Sequence, residues 1–382
     1  MKILFTVSEI EKKVEYIMEP VKLGVVGLGA IATHTHLPIL LKMKDKLRIV
    51  ALCDTDEERL GKASAQFGIN RVYKDYDEML KKEMLDCIDI CTPPSTHKPL
   101  CLKAFNMNVN CIVEKPLTTN LAEADELIEV AKSKNLGLFV IHNSSFVPVL
   151  RKARHLFNSG QIGDLIQVDV KFAMPPWEDI KNPNHWAHKL PGGVLGELAP
   201  HPAMILSEFI NGEIIEVKAE ALKRGPYPFM EYDELKVLVK TSTTLGAMSI
   251  SFNSPMRKMT IDLMGSKLWV YVDADSQALV KYPPITNVKE PFYSLYRGTR
   301  SLYDIFQRCG SLFETSVKVI GGKWKPATEG HIYLFNEVVK ALRKGALYPV
   351  DNNNVKKEIL ILEATFDQIK HVKTNNDTVL RI

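Results

Sequence analysis

Short apolar runs without polar alternation recur between residues 21 and 143: VKLGVVGLG, LRIVALCD, CIDICTPP and VNCIVEKP. Between them lie segments of helical period, AIATHTHLPILLKM, DEERLGKASAQFG and a stretch near 97–106. A strand with no polar face is covered on both sides, and strands separated by helices pair in parallel. The pattern predicts an α/β fold that opens with a doubly wound Rossmann sheet over 21–143. After LGLFVIHNSSF the period changes to two. LIQVDVKF, EVKAEAL, ELKVLVKT, LGAMSISF, KMTIDLMG and LWVYVDA alternate polar and apolar residues, which predicts a mostly antiparallel sheet with one covered face in an α+β domain over 144–382. Between 275 and 330, Leu302, Ile305, Phe306, Cys309, Leu312, Phe313 and Val317 fall at helical spacing and read as a packing helix rather than a lid. HIYLFNEVVKALRKG and NVKKEILILEATFDQIK read as amphipathic helices that close the chain. Residues 1–20 precede the first strand and are expected to form an added strand or a partner-binding arm.

Composition narrows the class. The 382 residues are 46% hydrophobic and 25% charged, which suits an ordinary globular protein with room for two domains. The 49 basic and 45 acidic side chains are spread along the chain, so no basic block marks a nucleic-acid or acidic-membrane partner. The start, MKILFTVSEIEKK, lacks the long apolar segment and cleavage site of a signal peptide, and no later run reaches membrane-spanning length, so the expected location is the cytoplasm. The six cysteines show no CxxC spacing and read as buried free thiols; no metal site is expected.

Candidate chemistry begins with Gly27, Gly29 and Ala32, a G-x-G-x-x-A pattern after a strand and at the start of a helix. The first glycine permits a tight turn, the second lets a pyrophosphate approach the backbone, and the small third residue lets the helix pack on the sheet. Asp54 ends the next apolar run, 27 positions on (54 − 27), where a carboxylate accepts hydrogen bonds from an adenosine ribose. The plain alternative is an ordinary strand-to-helix turn with Asp54 capping the following helix. Thr55 and Asp56 follow Asp54 in place of a basic residue, so NAD is favoured; NADP is the alternative if Arg59 or Arg71 folds in. Further along, the charged pair Glu114 and Lys115 directly follows an apolar run. A strand's carboxyl end opens into the ligand crevice of such a fold, and an ammonium there stabilises a developing alkoxide. The plain alternative is a surface pair with Glu114.

The segments GLGAIATHTHLP, CTPPSTHKPL, VEKPLTTN, GQIGDLIQV and PGGVLGELAPH occur in the order of the Gfo/Idh/MocA oxidoreductases, and the chain resembles that family over most of its length. The resemblance implies a Rossmann domain, a second domain with a large open sheet, an active site between the two, and a homodimer or homotetramer built on the sheet. It matches the family's Glu-Lys-Pro motif to Glu114, Lys115 and Pro116, with the lysine at the reacting hydroxyl or carbonyl and a cis bond expected before the proline. It makes His201 the general base, with Glu197 orienting it or holding a substrate hydroxyl; a histidine satisfied as an ordinary polar residue is the plain alternative. The cofactor-facing set it implies is Gly27, Gly29, Ala30, Ile31, Asp54, Thr92, Pro93, His97, Glu114 and Lys115, although His97 also suits a helix start. Asn143, His185, Trp186, His188 and Lys189 are expected to border the substrate, against an ordered loop anchored by Trp186. The chain departs from the family pattern in Glu197, Met204, Ser144 and Ser145, which puts the usual sugar or polyol in question. The implied function is NAD(P)-dependent hydride transfer at a secondary alcohol or ketone of a carbohydrate-like substrate. A redox-neutral NAD-dependent glycosidase and a non-catalytic dinucleotide sensor are the rivals.

Overall fold

A computed structural model describes residues 19–284, 326–345 and 348–372, together with residues 305, 307, 309 and 310. Leu23, Val25 and Val26 of β1 (Val21–Val26) are buried on both faces of the strand, as a sheet covered on two sides requires. β1 is joined by β2 (Leu47–Cys53), β3 (Val72–Tyr73), β4 (Cys87–Ile90), β5 (Asn110–Glu114) and β6 (Leu138–Ile141). All pair in parallel, in the order β3-β2-β1-β4-β5-β6. The order reverses between β1 and β4, which makes their carboxyl ends the switch point where ligands bind in such sheets. The two residues of β3 are too few to leave a periodic signal in the sequence.

Two helices of this unit start where an aspartate supplies a cap. The Asp56 carboxylate accepts from the N–H groups of Glu58 and Arg59 at the start of α2 (Glu57–Phe67), and Gly68 ends it at φ +69°. The helix after β1 is less regular: a π-helical segment, Ala32–His36, precedes α1 (Leu37–Leu40). α3 (Tyr76–Lys82), α4 (His97–Asn106) and α5 (Leu121–Ser133) follow.

The second sheet has seven strands: β7 (Leu165–Ala173), β8 (Ile214–Leu222), β9 (Glu234–Thr241), β10 (Leu245–Ser251), β11 (Lys258–Gly265), β12 (Trp269–Asp273) and β13 (Ala278–Tyr282). β13 lies in the stretch read only as aromatic-rich and extends the expected sheet by one strand. Every pairing is antiparallel except that of β7 with β10. Alternation does its expected job: Leu235, Val237 and Val239 of β9 are buried while Lys236, Leu238 and Lys240 are exposed. The buried face packs with α8 (Pro200–Phe209) and α10 (Asn352–Val372), with Leu206, Phe209, Met248, Ile250 and Ile361 in its core. α6 (Pro148–Asn158) and α7 (Val194–Leu198) belong to this unit as well, and α9 (Pro326–Lys344) precedes α10.

The described residues fall into two compact units whose segments alternate along the chain. Of the described residues, 19–117, 125–141, 331–345 and 348–349 form one unit, and 118–124, 142–284, 326–330 and 350–372 fall in the second. Cys53, Cys87, Cys91, Cys101 and Cys111 are buried free thiols, whereas Cys309 is exposed, unlike the buried role expected of it. Among the described residues no helix is long and apolar enough to cross a membrane. The arm at residues 1–18 and most of the packing helix expected through 302–317 lie outside the described residues.

Candidate active site

In the first unit, the turn after β1 is a glycine structure by necessity. Gly27 has φ +83°, and a Cβ there would sit 2.8 Å from the Cys91 carbonyl oxygen. Nothing lies within 4 Å of a Cβ placed on Gly29, so the ground above the turn is open to a pyrophosphate and a side chain would fill it. Ala32 is fully buried, the small residue that lets the helix settle on the sheet. Ala30 is exposed and Ile31 half-buried at the helix start. Asp54 leans over this turn: its Oδ2 accepts from the Leu28 N–H at 2.6 Å and its Oδ1 from the Asp56 N–H at 2.9 Å. Each oxygen keeps a second lone pair for a ribose hydroxyl. The helix cap belongs to Asp56, not Asp54. These residues fit a dinucleotide.

Thr92 follows β4, its hydroxyl accepting from Thr96 at 2.6 Å, and Pro93 beside it is exposed. His97 opens α4. It is wholly buried, with Nε2 2.8 Å from the Thr92 carbonyl oxygen and Nδ1 3.1 Å from those of Pro116 and Leu117. It ties the loop after β4 to the loop after β5, and burial pushes it below its ordinary value.

Lys115 follows the last residue of β5 and is half-buried, and the Lys115–Pro116 bond is cis. Glu114 is no surface partner. Its carboxylate is buried, with Oε1 2.9 Å from His36 Nε2 and Oε2 accepting from the Lys115 backbone N–H at 3.1 Å. Burial works to raise this carboxyl, but the His36 hydrogen bond and charge, aided by His331 and Lys115, hold it down at about 2. His36, Asp89 and His331 were not singled out from the sequence. The available signal was one aspartate inside the apolar run CIDI, where an unpaired carboxylate would be costly.

In the second unit, PGGVLGELAPH forms a turn and two helical segments. Gly193 has φ +58° and ψ −132°, and a Cβ on Gly192 would meet the Phe366 ring at 2.2 Å, so neither position accepts a side chain without strain. Pro200, which has no N–H to donate, opens α8 directly after α7, and Ala199 between them keeps helical dihedrals. Glu197 and His201 therefore lie one turn apart on one face of a helical run. Both are half-buried, and the His201 ring stands edge-on to Phe172 with centroids 6.0 Å apart. Met204, Ser144 and Ser145 are buried; Asn143 is half-buried at the start of a 3-10 turn.

The segment Trp186–Lys189 is a 3-10 turn. His188 Nε2 lies 3.0 Å from the carbonyl oxygens of Ile180 and Asn182, and its ring meets Phe229 edge-on at 5.0 Å. Trp186 is 39% exposed, so the buried anchor of this loop is Ala187 and not the tryptophan. Lys189 is exposed. Burial lowers His185 against the pull of Glu197. His188 also lines a cavity of about 140 Å³ with Gly192, Gly193, Phe229 and Tyr232; Asn143, Trp186 and Lys189 do not.

Comparison with known proteins matches both units. A family model described as an oxidoreductase family with an NAD-binding Rossmann fold covers residues 21–142, and one described as a GFO/IDH/MocA C-terminal domain covers 150–271. Myo-inositol 2-dehydrogenase of Thermotoga maritima is 26% identical, over 81% of this chain and 91% of that one. D-apiose dehydrogenase of Paraburkholderia graminis is 36% identical over 31% of this chain and 32% of that one. Among solved structures, the WlbA dehydrogenase of Bordetella pertussis, in complex with NADH and UDP-GlcNAcA, superposes with a TM-score of 0.76 at 18% identity, covering 93% of this chain and 96% of that one; the likeness is one of fold. With a glycine turn and Asp54 fit for a dinucleotide and both family models matched in order, the chain belongs to the Gfo/Idh/MocA family and is an NAD(P)-dependent dehydrogenase or reductase.

Proposed function

We propose that this protein transfers hydride between NAD and a secondary alcohol or ketone of a polyol, sugar or sugar derivative, with Lys115, His201 and Glu197 as the working side chains. The observation that carries the reading is Lys115 itself, a cation set directly after the buried strand β5, whose last residue, Glu114, is engaged by His36. When bound, the nicotinamide supplies the hydride acceptor. The Lys115 ammonium donates to the reacting oxygen and stabilises the negative charge that develops on it. His201 takes the hydroxyl proton on its imidazole nitrogen, and Glu197, one turn earlier, orients that ring or holds a neighbouring hydroxyl. Asn143, Trp186, His188 and Lys189 are the proposed substrate contacts. The names of the relatives, an inositol and an apiose dehydrogenase, support the carbohydrate class.

NAD is the proposed cofactor in preference to NADP. Both arginines able to meet a 2′-phosphate are committed to carboxylates: Arg59 to Asp56 at 3.4 Å and Arg71 to Glu83 at 2.6 Å. Titration calorimetry is expected to find NADP binding at least about tenfold more weakly, since Asp54 repels the added phosphate. Equal affinity would overturn the preference. A homodimer or homotetramer through the open sheet face, where Leu222, Leu238 and Leu245 are exposed, is the proposed assembly.

The test is NADH formation by the wild type and by Lys115→Ala, across inositols, aldoses, amino sugars and sugar nucleotides. The variant is expected to lose turnover by about a hundredfold or more while its NAD affinity stays within about threefold. Undiminished turnover, or an equal loss of NAD binding, would overturn the role of Lys115. Silence of the wild type across the panel with NAD bound would sink the dehydrogenase reading for these substrates.

A further inference from the structure

His36 and Asp89 are wholly buried in the first unit, and Glu114 is nearly so. His36 Nδ1 lies 2.9 Å from Asp89 Oδ2, and Nε2 lies 2.9 Å from Glu114 Oε1. Ionised carboxylate oxygens only accept, so a ring bonded to one at each nitrogen carries both protons. The surroundings come from every side. Cys91 Sγ is 3.2 Å from Nδ1, Phe335 stands edge-on at 5.0 Å, and the His331 ring is 5.4 Å away with its Nε2 4.0 Å from Glu114 Oε1. Lys115, His97 and Tyr348 also interact electrostatically with Glu114. Burial works against the His36 charge, and the charge and hydrogen bond of the Asp89 carboxylate favour it, so the ring is held well above its ordinary value. Burial also pushes the Cys91 thiol up to about 12, keeping it an S–H, so the lasting counter-charges are the two carboxylates.

Stability does not account for such a cluster. Apolar side chains in place of a buried ion group are often neutral or stabilising by about 1–4 kcal/mol. The backbone is also shaped for it: His36 is the last residue of the π-helical segment, where the Leu37 N–H reaches back to the Ala32 carbonyl. Single π turns inside helices gather at functional sites. A metal does not explain the spacing either. Tetrahedral zinc holds neighbouring N and O ligands roughly 3.3 Å apart, whereas both contacts here have ordinary hydrogen-bond length.

We propose that His36 is a positioning residue for Lys115: clamped as an imidazolium between Asp89 and Glu114, it fixes the Glu114 carboxylate, whose other oxygen receives the Lys115 backbone N–H, and so sets how Lys115 leaves β5. This rests on Lys115 acting at the substrate, as proposed above. An error of about 1 Å at a reacting group costs on the order of a hundredfold in rate.

Three measurements test it. In ¹⁵N spectra of the wild-type chain at pH 8, His36 is expected to carry protons on both ring nitrogens; a neutral or zinc-bound ring overturns the clamp. His36→Leu is expected to lose turnover by roughly tenfold to a hundredfold and His36→Gln, which keeps a donor, by less, with NAD affinity and KM within about threefold. In the double variant with Lys115→Ala, no further loss beyond that of Lys115→Ala is expected. Losses that multiply would make His36 independent of Lys115 and overturn the proposal. So would undiminished turnover in His36→Leu while Lys115→Ala is impaired, an outcome that leaves the reading of Lys115 standing. Wild-type turnover in Lys115→Ala would instead overturn that reading, and the positioning role with it. NAD binding and circular dichroism report whether each variant folds, and should His36→Leu fail to fold, the wild-type spectrum and His36→Gln decide.

Discussion

Asp54 and Asp56 stand two residues apart and meet different needs. Asp56 caps α2 through two backbone N–H groups, while Asp54 holds the Leu28 N–H of the glycine turn. Asp56→Ala is expected to cost about 1 kcal/mol in urea unfolding and to leave NAD affinity unchanged. Asp54→Ala, which removes the carboxylate proposed to accept from the ribose, is expected to weaken NAD binding by about tenfold or more. Both are read by paired denaturation and calorimetry; a reversal of the two effects would mean that the turn and the cap had been confused. The glycine turn and Lys115 stood out in the sequence because each breaks a local rule, the one for backbone conformation and the other for polarity. The partners of Lys115 did not. His36 and Asp89 are 53 positions apart, and averaged polarity along a strand hides a single carboxylate whose partner comes from another element.

At the scale of elements, the turn before α7 controls where Glu197 and His201 start. Gly193→Ala forces a side chain onto a backbone conformation essentially reserved for glycine, and a loss of about 1–3 kcal/mol is expected, read as a lower Tm. A Tm unchanged within a degree would show that the turn relaxes at no cost. The helical face shared by Glu197 and His201 followed from their spacing, and the strands of the second sheet from alternation. What alternation cannot report is the neighbour. It fixes which face of a strand is buried and says nothing of pairing partner or direction, so the parallel pairing of β7 with β10 was not legible.

For the molecule as a whole, buried ionised groups give stability a dependence on pH. The Glu114 carboxyl, near 2 when folded against about 4.3 in an unfolded chain, contributes fully above pH 4.3 and loses that contribution as pH falls toward 2. His36 has the opposite sign: raised on folding, it contributes fully below about 6.5 and the contribution drains away as pH rises through its folded value. The thiols of Cys53 and Cys91, pushed up to about 12, add to the alkaline loss above about 8.5. The urea midpoint is therefore expected to be highest between about pH 5 and 6.5, with His36→Leu flattening the slope from 6.5 upward; an unaltered slope would mean that His36 is not charged in the folded protein. Chain order did foretell a parallel sheet followed by an open one, but not the interleaving of the units, since amphipathic helices such as α9 and α10 announce a buried face without naming its owner. The central place of β7 bears on how the second sheet assembles. β8 to β10 and β11 to β13 are each a three-stranded meander of consecutive strands, able to form from local contacts, while both edges of β7 await segments synthesised long after it. Closing such distant pairs is slow, so the two meanders should gain hydrogen-exchange protection during refolding before β7 joins them into one sheet.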